Sequence, residues 1–315
     1  MIGFFIGRSD MQWSKIQNWW STLTEQTSQK VTGRLPKSAE APDELHILDV
    51  GQGSATLIKS AGGKHILIDT GRHDDKQKKI LNELDEHIGT GGTIDLLIFT
   101  HADSDHIGSG DLILDYYQVG EVWMNGMDHT TRTYLKLLEA IDRSDAKYVE
   151  PKTGFEKQIG DIKVEVWHPF PEQKLTDQNE ASIMGRVTLS SYSVVFSGDA
   201  SYYREDKVIN RVADVQADYL IIGHHGAKDS AGRNWLNAVH PRAAFYSAGV
   251  ANIYGHPHAE LLYRVADVGI PLYGTDKLGT ISLIFEPDGE IQFSADYPEG
   301  RPSENDGKAG DNDGS

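Results

Sequence analysis

The sequence predicts an α/β fold with α+β character, arranged as two successive units whose sheets are covered by helices on their outer sides. Two observations carry this. Short apolar runs such as Ile94-Asp95-Leu96-Leu97-Ile98-Phe99 alternate with segments whose apolar residues recur at helical spacing. Polar clusters then recur where those runs end: Asp49, Asp69, His101 to His106, His168, Asp199 and the pair His224/His225. That recurrence predicts one composite site on loops at one edge of the sheets.

Residues 1–42 read as a helical appendage and linker. Trp13, Ile16, Trp19, Trp20 and Leu23 form a stripe at helical spacing. The stripe either packs on the main domain or serves as a Trp-rich helix that binds a partner or a membrane surface. The main domain follows over 43–297. Leu45, Ile47, Leu48 and Val50 predict a first strand, Ala55, Leu57 and Ile58 a second, and His65 to Ile68 a third, forming an antiparallel meander. A helix over 76–87 carries Ile80, Leu81 and Leu84 on one face. After the buried strand 94–99 come a helix around Leu112, Ile113 and Tyr116, a strand over 119–124 and an amphipathic helix over 131–144. Strict alternation predicts a strand over 162–167. Strands over 187–190 and 193–196, a helix over 205–215, a strand over 218–222, a helix over 234–239, a strand over 243–247 and a helix over 259–268 continue the pattern. Strands at 280–285 and 291–294 end the domain. The Gly/Ser-rich acidic tail, 298–315, is expected to be solvated and disordered.

Bulk composition narrows the functions. The 315 residues are 38% hydrophobic and 24% charged, a globular composition. No apolar run approaches the roughly 18–20 residues of a membrane span. Ile2, Phe4, Phe5 and Ile6 make too short a stretch for a signal core, so the expected location is cytoplasmic. Cysteine is absent, so any metal must be held by His, Asp or Glu. The net charge of -17 argues against a broad basic face for gripping nucleic acid. It leaves room for a phosphate substrate, because bound divalent cations reverse the local sign.

The densest cluster is Thr100-His101-Ala102-Asp103-Ser104-Asp105-His106, placed directly after a predicted strand. Imidazole and carboxylate together are the ligand set of zinc and other transition metals. If the strand end stays extended, His101, Asp103 and Asp105 point one way and His106 begins to turn aside. Four potential ligands in so short a span suit two ions sharing a cleft. His168 reads as a structural strand-end residue and His258 as a helix-start residue. His46, His65, His73, His87, His129 and His240 have no constellation around them in the sequence.

Six pieces run in a familiar order: Leu48-Asp49-Val50-Gly51-Gln52-Gly53, Leu67-Ile68-Asp69-Thr70-Gly71, His101-x-Asp103-x-Asp105-His106, Phe196-Ser197-Gly198-Asp199, His224-His225-Gly226 and Gly255-His256-Pro257. On these the chain resembles the metallo-β-lactamase superfamily, and more narrowly the hydrolase domain of the bacterial competence channel protein ComEC and its stand-alone relatives. The resemblance implies a four-layer αβ/βα sandwich with a dinuclear site between the sheets. It implies that His101 and Asp103 hold one metal, Asp105 and His106 the second, and that Asp199 bridges both. His225 completes the second site, with His224 less suited and His256 a rival for that place. Whichever of His224 and His256 is left over is a candidate general acid. Asp49, Gln52, Asn179 and Ser182 are expected to line or support the cleft, and Asp69 to brace a neighbouring loop or a ligating histidine.

The chain also departs from the pattern. Asp103 stands where superfamily members commonly have His, which hardens that site toward manganese. Asn179-Glu180-Ala181-Ser182 supplies no histidine where the first metal usually finds its third ligand. The segment Leu220-Ile221-Ile222-Gly223 lacks the lysine that the ComEC type tends to place before His-His-Gly. The resulting expectation is a hydrolase with two divalent ions, Zn or Mn, acting on phosphodiesters and on single-stranded nucleic acid, with Asp105 among the catalytic groups. The alternatives are a lactonase or phosphocholine esterase on the same site, or a degenerate metal-holding regulatory module.

Overall fold

The structure, a computed structural model, describes residues 41–73 and 78–301. The Trp-rich stripe and most of the acidic tail lie outside the described residues.

The first sheet opens with the antiparallel meander of β1 (Asp43–Ile47), β2 (Thr56–Lys59) and β3 (His65–Ile68). Through α1 (Lys79–Ile88) the chain reaches β4 (Thr93–Ile98). Through α2 (Gly110–Tyr116) it reaches β5 (Gln118–Trp123), and through α3 (Arg132–Arg143) it reaches β6 (Lys147–Val149). These strands pair in parallel from β3 onward. The second sheet begins with antiparallel β7 (Glu156–Ile159), β8 (Ile162–His168), β9 (Met184–Thr188) and β10 (Ser193–Phe196). It continues in parallel through α4 (Tyr202–Ile209) to β11 (Tyr219–Ile221), through α5 (Arg233–Val239) to β12 (Ala243–Tyr246), and through α6 (Ala259–Val268) to β13 (Leu272–Gly274). A short α7 (Thr275–Leu278) then leads to β14 (Ile281–Phe285), which pairs antiparallel with β1, and β15 (Ile291–Ala295) closes that edge.

The layers follow from strand periodicity. Leu45, Ile47, Ile66, Ile68, Leu96 and Ile98 face the other sheet, where they meet Val164, Val187, Val194, Phe196 and Phe245. Their neighbours Leu57, Leu67 and Leu97 point outward onto Leu84, Ile113, Leu137 and Ile141 of the helices. On the second sheet Val195, Leu220 and Ala244 pack outward on Val208, Trp235, Leu236 and Leu261. Strands covered on both faces must be apolar throughout, which is why they read as unbroken hydrophobic runs. The result is helix, sheet, sheet, helix. Helix ends are locally encoded as well: the Thr131 hydroxyl accepts the Tyr134 N–H at 3.3 Å to cap α3, and Gly269 takes the left-handed conformation after α6.

Several elements differ from the sequence expectation. The last two strands belong to the first sheet rather than to a second unit, because β14 pairs with β1 from the far end of the domain, as at His46 and Ser282, 236 residues apart. The edge strands β6 and β7 and the short β13 and α7 were not expected; β7 (Glu-Lys-Gln-Ile) carries a single apolar residue. The helix expected over 205–215 begins at Tyr202 and stops at Ile209. Of the helix expected over 76–87, residues 76 and 77 lie outside the described residues. Among the described residues no helix is long and apolar enough to cross a membrane.

Candidate metal centre

The site residues sit where β3, β4, β10 and β11 end, on one edge shared by both sheets. The loop after β4 is not extended. The N–H groups of His106 and Ile107 both donate to the Asp103 carbonyl at 3.0 Å, so the chain curls. His106 therefore does not turn aside, as an extended strand end implies. It becomes the central residue. The curl is tied to its neighbours: Ser54 N–H donates to the Asp105 carbonyl and Thr70 N–H to the His106 carbonyl.

Two groups of donors converge within 4.8 Å: His101, His106 and Asp199, and Asp105, His106 and His225. His106 Nε2 lies 3.2 Å from an Asp199 oxygen, and the His101, His225 and His224 Nε2 atoms lie 3.9, 3.7 and 3.8 Å from the other oxygen. His225 Nε2 is 3.4 Å from Asp105, and His101 Nε2 is 3.7 Å from Asp103. His256 joins neither group; its ring stacks beside His225 at 6.0 Å.

Hydrogen bonds on the far side of each ring decide which nitrogen faces the centre. His106 Nδ1 donates to Asp69 at 2.8 Å, and His225 Nδ1 donates to the Ser247 carbonyl at 2.9 Å. The Thr100 hydroxyl donates to Asp69, so its oxygen accepts from His101 Nδ1 at 3.1 Å. All three rings thus present an Nε2 lone pair inward. Those three Nε2 atoms are buried and carry no hydrogen bond. A buried nitrogen without a partner is costly unless something binds it, and a divalent cation fits this donor set.

Ionisation agrees with ligation. Burial, reinforced by His106, drives His101 down to about 3, leaving it neutral. Burial works against charge on Asp199 and Asp105, yet the neighbouring histidines hold both carboxyls below the ordinary range. Burial also opposes charge on His106, but Asp199 and Asp69 together hold it well above the usual histidine value.

The backbone is strained where it aims these groups. Asp69, His224 and His225 all have positive φ, at 59°, 50° and 54°. Non-glycine residues there cost about 1–2 kcal/mol each, and such outliers gather at functional sites. Gly198 (φ 51°) permits the close approach before Asp199; a Cβ there would lie 2.7–2.8 Å from Ser182 and Thr100.

The remaining expected residues are placed as follows. Ser182 accepts the Asp199 N–H at 3.0 Å, and Gln52 and Asn179 line the cleft. Of the two roles expected for Asp49, the structure has the supporting one: its carboxylate meets Arg301 (2.7 Å), Lys79 and the Gly51 N–H, where it fixes the loop carrying Gln52. His168 is buried, with Nδ1 donating to the Ser182 carbonyl. Sequence reasoning passed over Arg72, His129, Thr131 and Tyr254, which also line the cleft of about 310 Å³ beside the metal donors. Arg72 is the only arginine or lysine among its described lining residues.

Residues 48–250 match the metallo-beta-lactamase superfamily model. The chain belongs to the metallo-beta-lactamase superfamily. It is 29% identical over 260 residues to ComE operon protein 3 of Bacillus subtilis (strain 168), covering 77% of this chain and 33% of that protein. It is 29% identical over 238 residues to competence protein ComA of Neisseria gonorrhoeae, covering 75% and 31%. The chain thus spans about a third of the length of these relatives. Among solved structures, CmlA, a diiron beta-hydroxylase from Streptomyces venezuelae, matches with a TM-score of 0.50 and 16% identity over 79% of this chain and 55% of CmlA, a likeness of fold.

A third group lies elsewhere: Glu44, His46 and His87. Along the chain these histidines stand outside any constellation. Here His46 bonds Ser282 and Glu44 at 2.8 and 2.9 Å, and Lys59 reaches the same carboxylate at 3.0 Å. Both His46 nitrogens are thus hydrogen-bonded, unlike the bare nitrogens of the main centre.

Asp69 tests how far the outer hydrogen bonds matter. Asp69→Asn keeps the shape but removes the charge facing His106. Metal affinity is expected to fall about 10- to 100-fold, read by competition against a chromogenic chelator. Unchanged affinity would remove Asp69 from the centre.

Proposed function

We propose that this superfamily member is a dinuclear, metal-dependent phosphodiesterase with single-stranded nucleic acid as a substrate class. The observation that carries the reading is the pair of donor groups that share His106, with Asp199 of the first group 3.7 Å from His225 of the second and three buried Nε2 atoms left for ligation. His101, Asp103 and Asp199 would hold one ion. Asp105, His106, His225 and Asp199 would hold the other. Two such cations, zinc or manganese, supply Lewis-acid charge and activated water near neutral pH, which suits in-line displacement at phosphorus.

The chain's own residues do the rest. Asp69, Thr100 and the Ser247 carbonyl hold the three rings in the ligating tautomer. Arg72 adds a fixed positive charge to the cleft wall, in a chain whose net charge is -17. His224 and His256 border the same cleft. Burial, with His225 and His224 nearby, keeps His256 near 4, so it is neutral at pH 7. His224, 29% exposed and 3.8 Å from Asp199, would then be the residue that passes a proton to the leaving group. The name of one relative, competence protein ComA, refers to competence, which supports nucleic acid as substrate.

The test uses the full chain, stripped of metal and reloaded with zinc or manganese. About two equivalents should bind, and bis-p-nitrophenyl phosphate and single-stranded DNA should be cleaved only by the loaded protein. Loaded protein that cleaves neither, in parallel with an Asp105→Ala variant indistinguishable from it, overturns the reading.

A further inference from the structure

His129 lies in the loop between β5 and α3, away from every motif that marks the metal centre. Its ring is fixed from two sides. The Thr131 N–H donates to His129 Nδ1 at 3.1 Å, and the Tyr134 ring meets it edge-on at 6.3 Å. An Nδ1 that accepts a hydrogen bond leaves the proton of the neutral ring on Nε2. That Nε2 points into the cleft and lies 3.7 Å from Asp103 Oδ1, longer than a hydrogen bond. The other Asp103 oxygen faces His101.

This arrangement is the reverse of the one at His101, His106 and His225. Those rings donate from Nδ1 and offer a lone pair at Nε2. His129 accepts at Nδ1 and offers an N–H at Nε2. To ligate a metal through Nε2 it would have to change tautomer and give up the Thr131 bond that positions it. His129 therefore does not replace the histidine absent near Asn179, although it sits beside the same ion's Asp103.

We propose that His129 is a substrate-contact residue: its Nε2–H donates a hydrogen bond to an anionic oxygen of the scissile phosphodiester, from the wall facing the metal ligands. This deepens the phosphodiesterase reading and rests on it for the identity of the substrate. The recognised chemistry is a phosphoryl oxygen, an acceptor without protons of its own. Asp103 is acceptor-only when ionised, so it repels that oxygen, and an N–H beside it gives the substrate a partner on that side of the cleft.

Three measurements on the metal-loaded full chain test it. The ¹⁵N shifts of the His129 ring should report an Nε2–H tautomer; an Nδ1–H tautomer overturns the proposal. Inorganic phosphate should bind His129→Ala about 10- to 100-fold more weakly than wild type, with the metal content of both proteins equal. His129→Gln, which keeps an N–H donor, should recover most of that loss. Equal phosphate affinity in His129→Ala, no phosphate binding by wild type, or loss of a metal equivalent each overturn the proposal. Turnover is scored separately. Wild-type protein that binds phosphate through His129 but cleaves no phosphodiester refutes the hydrolase reading and leaves this contact standing.

Discussion

Asp199→Asn is expected to lower phosphodiester turnover roughly 10³-fold and to reduce bound metal from two equivalents to less than one. The side chain is 5% exposed and lies within 3.2–3.9 Å of four histidine Nε2 atoms. No other carboxylate of the site reaches both sides of it. An amide of the same shape keeps the packing and removes the negative charge that two cations would share. One amide oxygen remains, while the NH2 group has no lone pair to give a cation and would instead donate to the histidine Nε2 atoms that the metals need. The fold itself should survive, because His106 keeps Asp69 at 2.8 Å and the Asp199 N–H still donates to Ser182. Thermal melts separate the cases. Saturating metal at about 100 times its Kd stabilises a protein by about 2.7 kcal/mol per site. The rise in melting temperature on adding metal should be large in wild type and nearly absent in the variant, with similar metal-free melts. A variant that retains two metal equivalents and ordinary turnover would show that the two donor groups do not share this residue.

Much of this centre was legible because its chemistry is written in residue type and place. His101, Asp103, Asp105 and His106 follow an apolar run, and Asp199 and His225 follow two others, so strand ends and ligand types together point to one edge. The four layers follow likewise from double-sided apolar strands and helical stripes. What escaped is non-local or single. The pairing of β14 with β1 depends on a contact between distant parts of the chain, which no local periodicity encodes. The central position of His106 depends on a loop curling about the Asp103 carbonyl rather than continuing a strand. His129 has only Asp128 at its side, too little for a ligand cluster, and its orientation is set by a backbone N–H two residues away. The available signal was its position shortly after a strand end, the rule that found the others. At Asp49 the motif marks a support rather than a cleft wall, because Lys79 and Arg301 hold its carboxylate away from the cleft.

Trp123→Ala should lower the unfolding free energy by about 4 kcal/mol and the melting temperature by about 10 °C. Trp123 ends β5 with no solvent exposure and belongs to the core between the two sheets. It pairs in register with Ile98 and Val149, and its ring meets Phe155, just before β7 of the other sheet, edge-on at 5.3 Å. Truncation therefore opens a cavity where the sheets meet rather than at a yielding surface. It also removes the indole donor that holds Glu121 at 2.6 Å, although Lys157 still pairs with that carboxylate at 2.9 Å, so no buried charge is stranded. The cost is thus mainly lost packing. The neighbouring Met124-Asn125 segment leads into the loop of His129, so phosphate affinity should weaken too, while metal content stays at two equivalents. Tyr116→Ala supplies the control: that side chain is 55% exposed and should change stability by no more than about 0.5 kcal/mol. Equal losses in the two variants, read by urea unfolding with unchanged m-values, would mean that the sheets do not pack face to face at β5 and β7.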